Sequence, residues 1–135
     1  MNEATTDSET VRPPRVLVVD DNVDSTDILS QLLSQRGYAV QSAQDGPGAL
    51  RLLAGWAPDV ALLNLALPGM SGFDLADCVR LMPAYASLPL VALTGFSDAA
   101  RRRRSVELGF AAYVTKPVDL LSLFQLLEEL APNAL

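Results

Sequence analysis

Short runs of aliphatic residues alternate along this chain with longer segments whose apolar positions recur every three or four residues. The first run, 16–19, ends in Asp20-Asp21. The segment 24–36 then carries Ile28, Leu29, Leu32 and Leu33 at helical spacing and is stopped by Gly37. The same alternation continues with 38–42 and 48–54, then with 60–63 and, after a loop containing Pro68-Gly69, 73–81. A fourth unit pairs 90–93 with 98–108, stopped by Gly109, and a fifth pairs 111–114 with 119–130. Five repeats of strand then helix predict parallel strands joined by crossover helices.

Strands that read as nearly unbroken apolar runs are buried on both faces, so helices must cover both sides of the sheet. The expected fold is therefore α/β, a doubly wound five-stranded parallel sheet in the order 2-1-3-4-5, with its ligand crevice at the carboxyl ends of strands one and three. The 135 residues suit one such domain. It is expected over 15–131, with a flexible polar tail at 1–14 and a short end at 132–135.

Composition narrows the chemistry. Half the residues are hydrophobic and 19% are charged, which fits a folded body, and no apolar run approaches the ~20 residues that span a bilayer. The net charge of -6 leaves no chain-wide basic face for nucleic acid. Histidine is absent, which excludes imidazole chemistry, and the single cysteine, Cys78, excludes an internal disulfide and thiolate clusters. The polar start lacks the basic and apolar stretches of a secretory signal, so a cytoplasmic location is expected.

Polar residues follow the apolar runs in a definite pattern. Asp20 and Asp21 follow the first, Asn64 the third and Thr94 the fourth, and Lys116-Pro117 lies just past the fifth. Parallel strands present their carboxyl ends at one edge, so these residues are expected to meet in one shallow site. Two carboxylates beside a third oxygen suit a hard cation such as Mg2+. A hydroxyl and an ammonium alongside suit a phosphoryl group. Singly, an acidic pair commonly caps a helix, Thr94 would serve a turn and Lys116 would be a solvated charge.

With this order of elements, the residues Asp20, Asp21, Asn64, Thr94, Tyr113 and Lys116-Pro117 resemble a receiver domain of bacterial two-component signalling, of the CheY-like kind. The loop Leu67-Pro68-Gly69-Met70-Ser71-Gly72 is similar to the one that follows the phosphate-accepting aspartate there. That position holds Asn64 here. The resemblance implies Mg2+ bound by Asp20, Asp21, the residue at 64 and the backbone carbonyl of Ala66. It also implies Lys116 and Thr94 as contacts of the phosphoryl group, and Thr94 and Tyr113 as a switch pair in which the hydroxyl moves toward phosphate and the ring turns inward. A cis Lys116-Pro117 bond is expected on the same ground. The implied partners are a histidine kinase or phosphotransfer protein, and an output protein or second copy at helix 4, strand 5 and helix 5.

Asparagine changes what such a site can do. An amide oxygen is neutral and the amide nitrogen's lone pair is delocalised, so Asn64 is a poor nucleophile and ordinary phosphorylation is expected to fail. Mg2+ binding should weaken, since one negative charge is gone. Relief of carboxylate crowding should make the metal-free site more stable than an aspartate version. Two origins fit: a natural receiver that works without phosphorylation, or a working receiver carrying an introduced substitution.

Two surfaces stand out. Arg101 to Arg104 wrap the fourth helix at ~100° per residue, so only about two can face one partner, and Glu107 is placed to pair with Arg103 or Arg104. A solvated face is the simpler expectation. The fifth helix carries Leu120, Leu121, Leu123, Phe124, Leu126, Leu127 and Leu130, an arc of roughly 220° against the usual ~100° stripe. It would serve a partner, or a wedge between sheet and neighbouring helix. Other functions remain open on this topology. A haloacid-dehalogenase-like phosphatase using Asp20 would need a second aspartate where Asn22 stands, and a flavin site would need a phosphate-cradling loop where Asp20-Asp21-Asn22 stand.

Overall fold

The computed structural model describes residues 12–96 and 98–132. Its strands are β1 (Arg15–Val19), β2 (Ala39–Ala43), β3 (Val60–Asn64), β4 (Leu90–Thr94) and β5 (Ala112–Thr115). Its helices are α1 (Val23–Gln35), α2 (Gly46–Gly55), α3 (Gly72–Leu81), α4 (Ala99–Glu107) and α5 (Leu120–Leu130). All four strand pairings are parallel and the order is β2-β1-β3-β4-β5, as the alternation of runs predicts.

The alternation of side chains along each strand builds two cores. Leu17, Val19, Ala61 and Leu63 face Leu53 of α2 and Leu75 and Val79 of α3. Val16, Val18, Leu62, Val91 and Leu93 face Leu33 of α1 and Leu123 and Leu127 of α5. The central strands β3 and β4 are buried at every position, which is why their sequences lack polar alternation. Each fully buried Leu or Val contributes about 1.5–3 kcal/mol.

Side-chain caps fix where each helix begins. Asn22, Asp45, Asp98 and Asp119 each accept a backbone N–H of the first turn, and Ser71 and Asp74 form a reciprocal capping box on α3. Because Asp45 is the cap, α2 starts two residues before the periodicity suggests. Gly37 and Gly109 take positive φ after α1 and α4, the conformation a helix stop favours in glycine. The Tyr38 N–H bonds the Leu33 carbonyl as part of the α1 stop, so β2 starts at Ala39 and not Tyr38.

A 3-10 turn, Pro83–Tyr85, was not foreseen in the sequence. Its Tyr85 is buried and donates its hydroxyl to the Leu53 carbonyl at 2.7 Å. The expected tail lies partly outside the described residues, namely 1–11, as do 133–135 of the expected end. Residues 12–14 are tied to the body. Ala39 N donates to the Pro14 carbonyl at 2.9 Å, and Arg12 meets Asp59 at 3.0 Å.

Candidate functional site

The strand ends step across one edge of the sheet. Asp20 continues the β1 ladder by donating its N–H to Ala43 at 3.1 Å, and Asn64, the last residue of β3, pairs with Leu93 of β4. Thr94 ends β4 opposite Thr115, and Lys116 N donates to the Thr94 carbonyl at 2.7 Å. The Lys116–Pro117 bond is cis. Asp20, Asp21, Asn64, Ala66 and Lys116 thereby meet in one cluster, with Thr94 beside it at the end of β4. Asp20 and Asn64 are each only 6% exposed.

The Asn64 amide nitrogen is the centre of this cluster. It donates to Asp20 Oδ1 at 3.2 Å, to the Ala66 carbonyl at 3.1 Å and, more weakly, to Asp21 Oδ1 at 3.4 Å. Asp20 Oδ1 also accepts the Asn22 N–H at 3.0 Å, while Asp20 Oδ2 lies 3.2 Å from Lys116 Nζ. Both oxygens of this buried carboxylate are therefore satisfied without solvent. The oxygens of Asp20, Asp21 and Ala66 converge from two loops on one point, and such a set suits a hard cation that keeps several waters. Among the described residues no group of three His, Cys, Asp or Glu side chains is poised for a metal, since the third acidic position is the amide.

Gly72 lets the β3–α3 loop close this tightly. A Cβ there would lie 2.6 Å from the Asn64 carbonyl oxygen and 2.7 Å from Leu65 Cα, both backbone, and Gly72 N donates to the Leu65 carbonyl at 2.9 Å.

Thr94 and Tyr113 both bind Phe96. Phe96 N donates to Thr94 Oγ1 at 3.1 Å, and the Tyr113 hydroxyl donates to the Phe96 carbonyl at 2.8 Å. Nothing in the sequence marks Phe96 as the link, because its contacts run through backbone atoms. Two arginines of the run on α4 lie against these residues. Arg101 stacks over Phe96 and pairs with Asp98, Arg102 lies over the Tyr113 ring at 4.6 Å, and Arg104 lies over Phe73 at 5.2 Å. The salt bridge of Arg104 runs to Asp77 on α3 at 3.5 Å, so the expected pairing with Glu107 gives way to a neighbouring helix. On α5, Leu123 and Leu127 fill the core, Phe124, Leu126 and Leu130 pack partly against it, and Leu121 stays 66% exposed.

Comparison with known proteins agrees with this geometry. Residues 16–128 match the response regulator receiver domain family, and the chain belongs to it. An uncharacterised 14.6 kDa protein of Leptolyngbya boryana is 36% identical over 121 residues, which cover 90% of this chain and 92% of that one. The response regulator PleD of Caulobacter vibrioides is 36% identical over 110 residues, covering 82% of this chain but 24% of PleD. The chemotaxis protein CheY4 of Vibrio cholerae superposes with a TM-score of 0.83 at 27% identity, over 87% of this chain and 98% of CheY4. Receiver domains of two-component signalling interact with histidine kinases or phosphotransfer proteins. The phosphatase alternative loses ground accordingly: Asn22, where its second aspartate would be needed, caps α1. Among the described residues no helix is long and apolar enough to cross a membrane.

Proposed function

We propose that this chain is a receiver in which Asn64 stands at the phosphoacceptor position, that it does not take up a phosphoryl group there, and that it signals through protein contacts without being an enzyme. The observation that carries this is the Asn64 side chain itself. It occupies the end of β3 beside Asp20, Asp21 and Lys116, but it offers a neutral amide whose nitrogen is engaged with carboxylate and carbonyl oxygens. Neither amide atom supplies the anionic oxygen that attack on phosphorus requires.

The rest of the site supports a receiver's arrangement. Lys116 would face a phosphoryl group, with Thr94 beside it, and Thr94 and Tyr113 would form the switch pair. Their shared hold on Phe96 supports that coupling. Mg2+ is the cofactor this reading carries, held by Asp20, Asp21, the Ala66 carbonyl and, through its oxygen, Asn64, at an affinity lowered by the missing charge. When bound, it would neutralise charge on phosphoryl oxygens.

The partners in this reading are a histidine kinase or phosphotransfer protein, and an output protein or second copy docking on α4, β5 and α5. Exposed Val106 and Leu121, with the half-buried edge strand β5, support that face. Binding on the domain's own account would place it in the cytoplasm with its partners. The receiver would span residues 15–131.

The test is treatment with a small-molecule phosphodonor and Mg2+, read by intact mass, beside Asn64→Asp. The aspartate variant should gain one phosphoryl group and the unmodified chain none. A phosphoryl group on the unmodified chain, with no more on the variant, would overturn the reading.

A further inference from the structure

The three oxygens that converge at the strand ends already share an occupant. Asp20 Oδ1, Asp21 Oδ1 and the Ala66 carbonyl all lie within 3.1 to 3.4 Å of one atom, Asn64 Nδ2. Chemistry fixes the orientation of that amide. All three neighbours are acceptors when the carboxylates are ionised, so turning the amide over would set its oxygen against three others. We infer that the Asn64 amide group acts as a built-in substitute for the divalent cation, holding the resting site together without metal and competing with metal for the same oxygens. The inference rests on the reading of Asn64 as the phosphoacceptor position.

The consequences differ from those of a simple loss of charge. With charge alone, removing the side chain could only weaken cation binding further. With an occupying amide, any cation must first displace two good hydrogen bonds and one weak one, and the Asn64 oxygen becomes a ligand only after the amide turns. That displacement should weaken Mg2+ binding by at least about tenfold. The same bonds tie the loop after β1 to the loop after β3, a link that holds when all metal is removed. Lys116 completes the arrangement by neutralising Asp20 from its other oxygen at 3.2 Å.

The experiment compares the full chain with Asn64→Asp and Asn64→Ala, each in EDTA and over a MgCl2 titration. Thermal unfolding and the side-chain amide signals in 15N-correlated NMR are the readouts. In EDTA the Asn64 NH2 protons should exchange slowly and the unmodified chain should melt no lower than Asn64→Asp. Mg2+ should raise the melting temperature of Asn64→Asp at concentrations at least about tenfold below those affecting the unmodified chain. Asn64→Ala keeps Asp20, Asp21 and the Ala66 carbonyl but has no amide, so Mg2+ should stabilise it more than it stabilises the unmodified chain. A smaller or equal Mg2+ response in Asn64→Ala, or fast exchange of the Asn64 NH2 protons in EDTA, would overturn the inference. Phosphoryl uptake is read separately by mass, so its appearance on the unmodified chain would sink the functional proposal while leaving these metal comparisons to stand or fall alone.

Discussion

Lys116 Nζ lies 3.2 Å from Asp20 Oδ2, so the segments that follow β1 and β5 are joined through side chains 96 positions apart. Asp20 is nearly buried while the Lys116 side chain keeps about a third of its surface, 36%, in water. The pair thus lies between a surface bridge, worth little, and a buried one whose rupture is severe. Lys116→Met should lower stability by about 1–2 kcal/mol in urea unfolding. Combined with Asp20→Asn, much of that loss should return, because the uncompensated carboxylate is gone. An equal loss in the single and double variants would show that Lys116 acts through packing.

Gly72→Ala should be among the more damaging small substitutions in the chain. The new methyl would press on Asn64 and Leu65 backbone atoms that are held by the sheet and cannot rotate away. Overpacking of this kind costs about 1–3 kcal/mol. The variant should also loosen the Asn64 amide, measurable as faster exchange of its NH2 protons. Unchanged stability and exchange would mean that α3 can slide outward without strain.

Arg80 is held by carbonyls alone. Its guanidinium donates to Leu108 at 3.1 Å, Gly109 at 3.1 Å, Tyr85 at 3.1 Å and Leu88 at 2.8 Å, closing the end of α4 onto α3 and the 3-10 turn. Burial holds its pKa below the usual guanidinium range. Arg80→Met should cost about 2–4 kcal/mol by stranding these acceptors. Arg80→Lys should recover only part, since an ammonium cannot reproduce the planar fork. Denaturant unfolding of both variants checks the order.

Asp59 carries a predictable acid sensitivity. Burial pushes its carboxyl pKa up, but hydrogen bonds from the Arg12 side chain and the Arg15 N–H, with the charges of both arginines, outweigh it and hold the pKa below the usual 3.8. A folded-state pKa below the unfolded one contributes stability above the unfolded value and loses it as pH falls through the folded value. Asp59→Asn should therefore cost up to about 1 kcal/mol near neutrality, a gap that starts to narrow as pH falls below about 4 and closes only below the folded-state pKa. Parallel unfolding curves from pH 7 to pH 3 decide this, and a gap that does not narrow toward the acid end would rule the carboxylate out.

The fold was readable in the sequence because its largest physical demand, burial of the sheet on both faces, writes itself as unbroken runs such as Leu90 to Leu93. The candidate site was readable for a related reason: strand ends share one edge, so Asp20, Asn64, Thr94 and Lys116 could be gathered before any distance was known. What stayed hidden depends on backbone partners. The cage around Arg80, the 3-10 turn whose Tyr85 reaches the Leu53 carbonyl and the place of Phe96 all use carbonyls or N–H groups, which every residue carries. The direction of the Asn64 amide was hidden for another reason, since only the positions of its three acceptors decide which end points inward.

Phe96 is gripped from two sides through its own N–H and C=O, while 54% of the residue stays in water. Any displacement of the Phe96 backbone would therefore disturb the contacts of both the Thr94 and the Tyr113 hydroxyls at once.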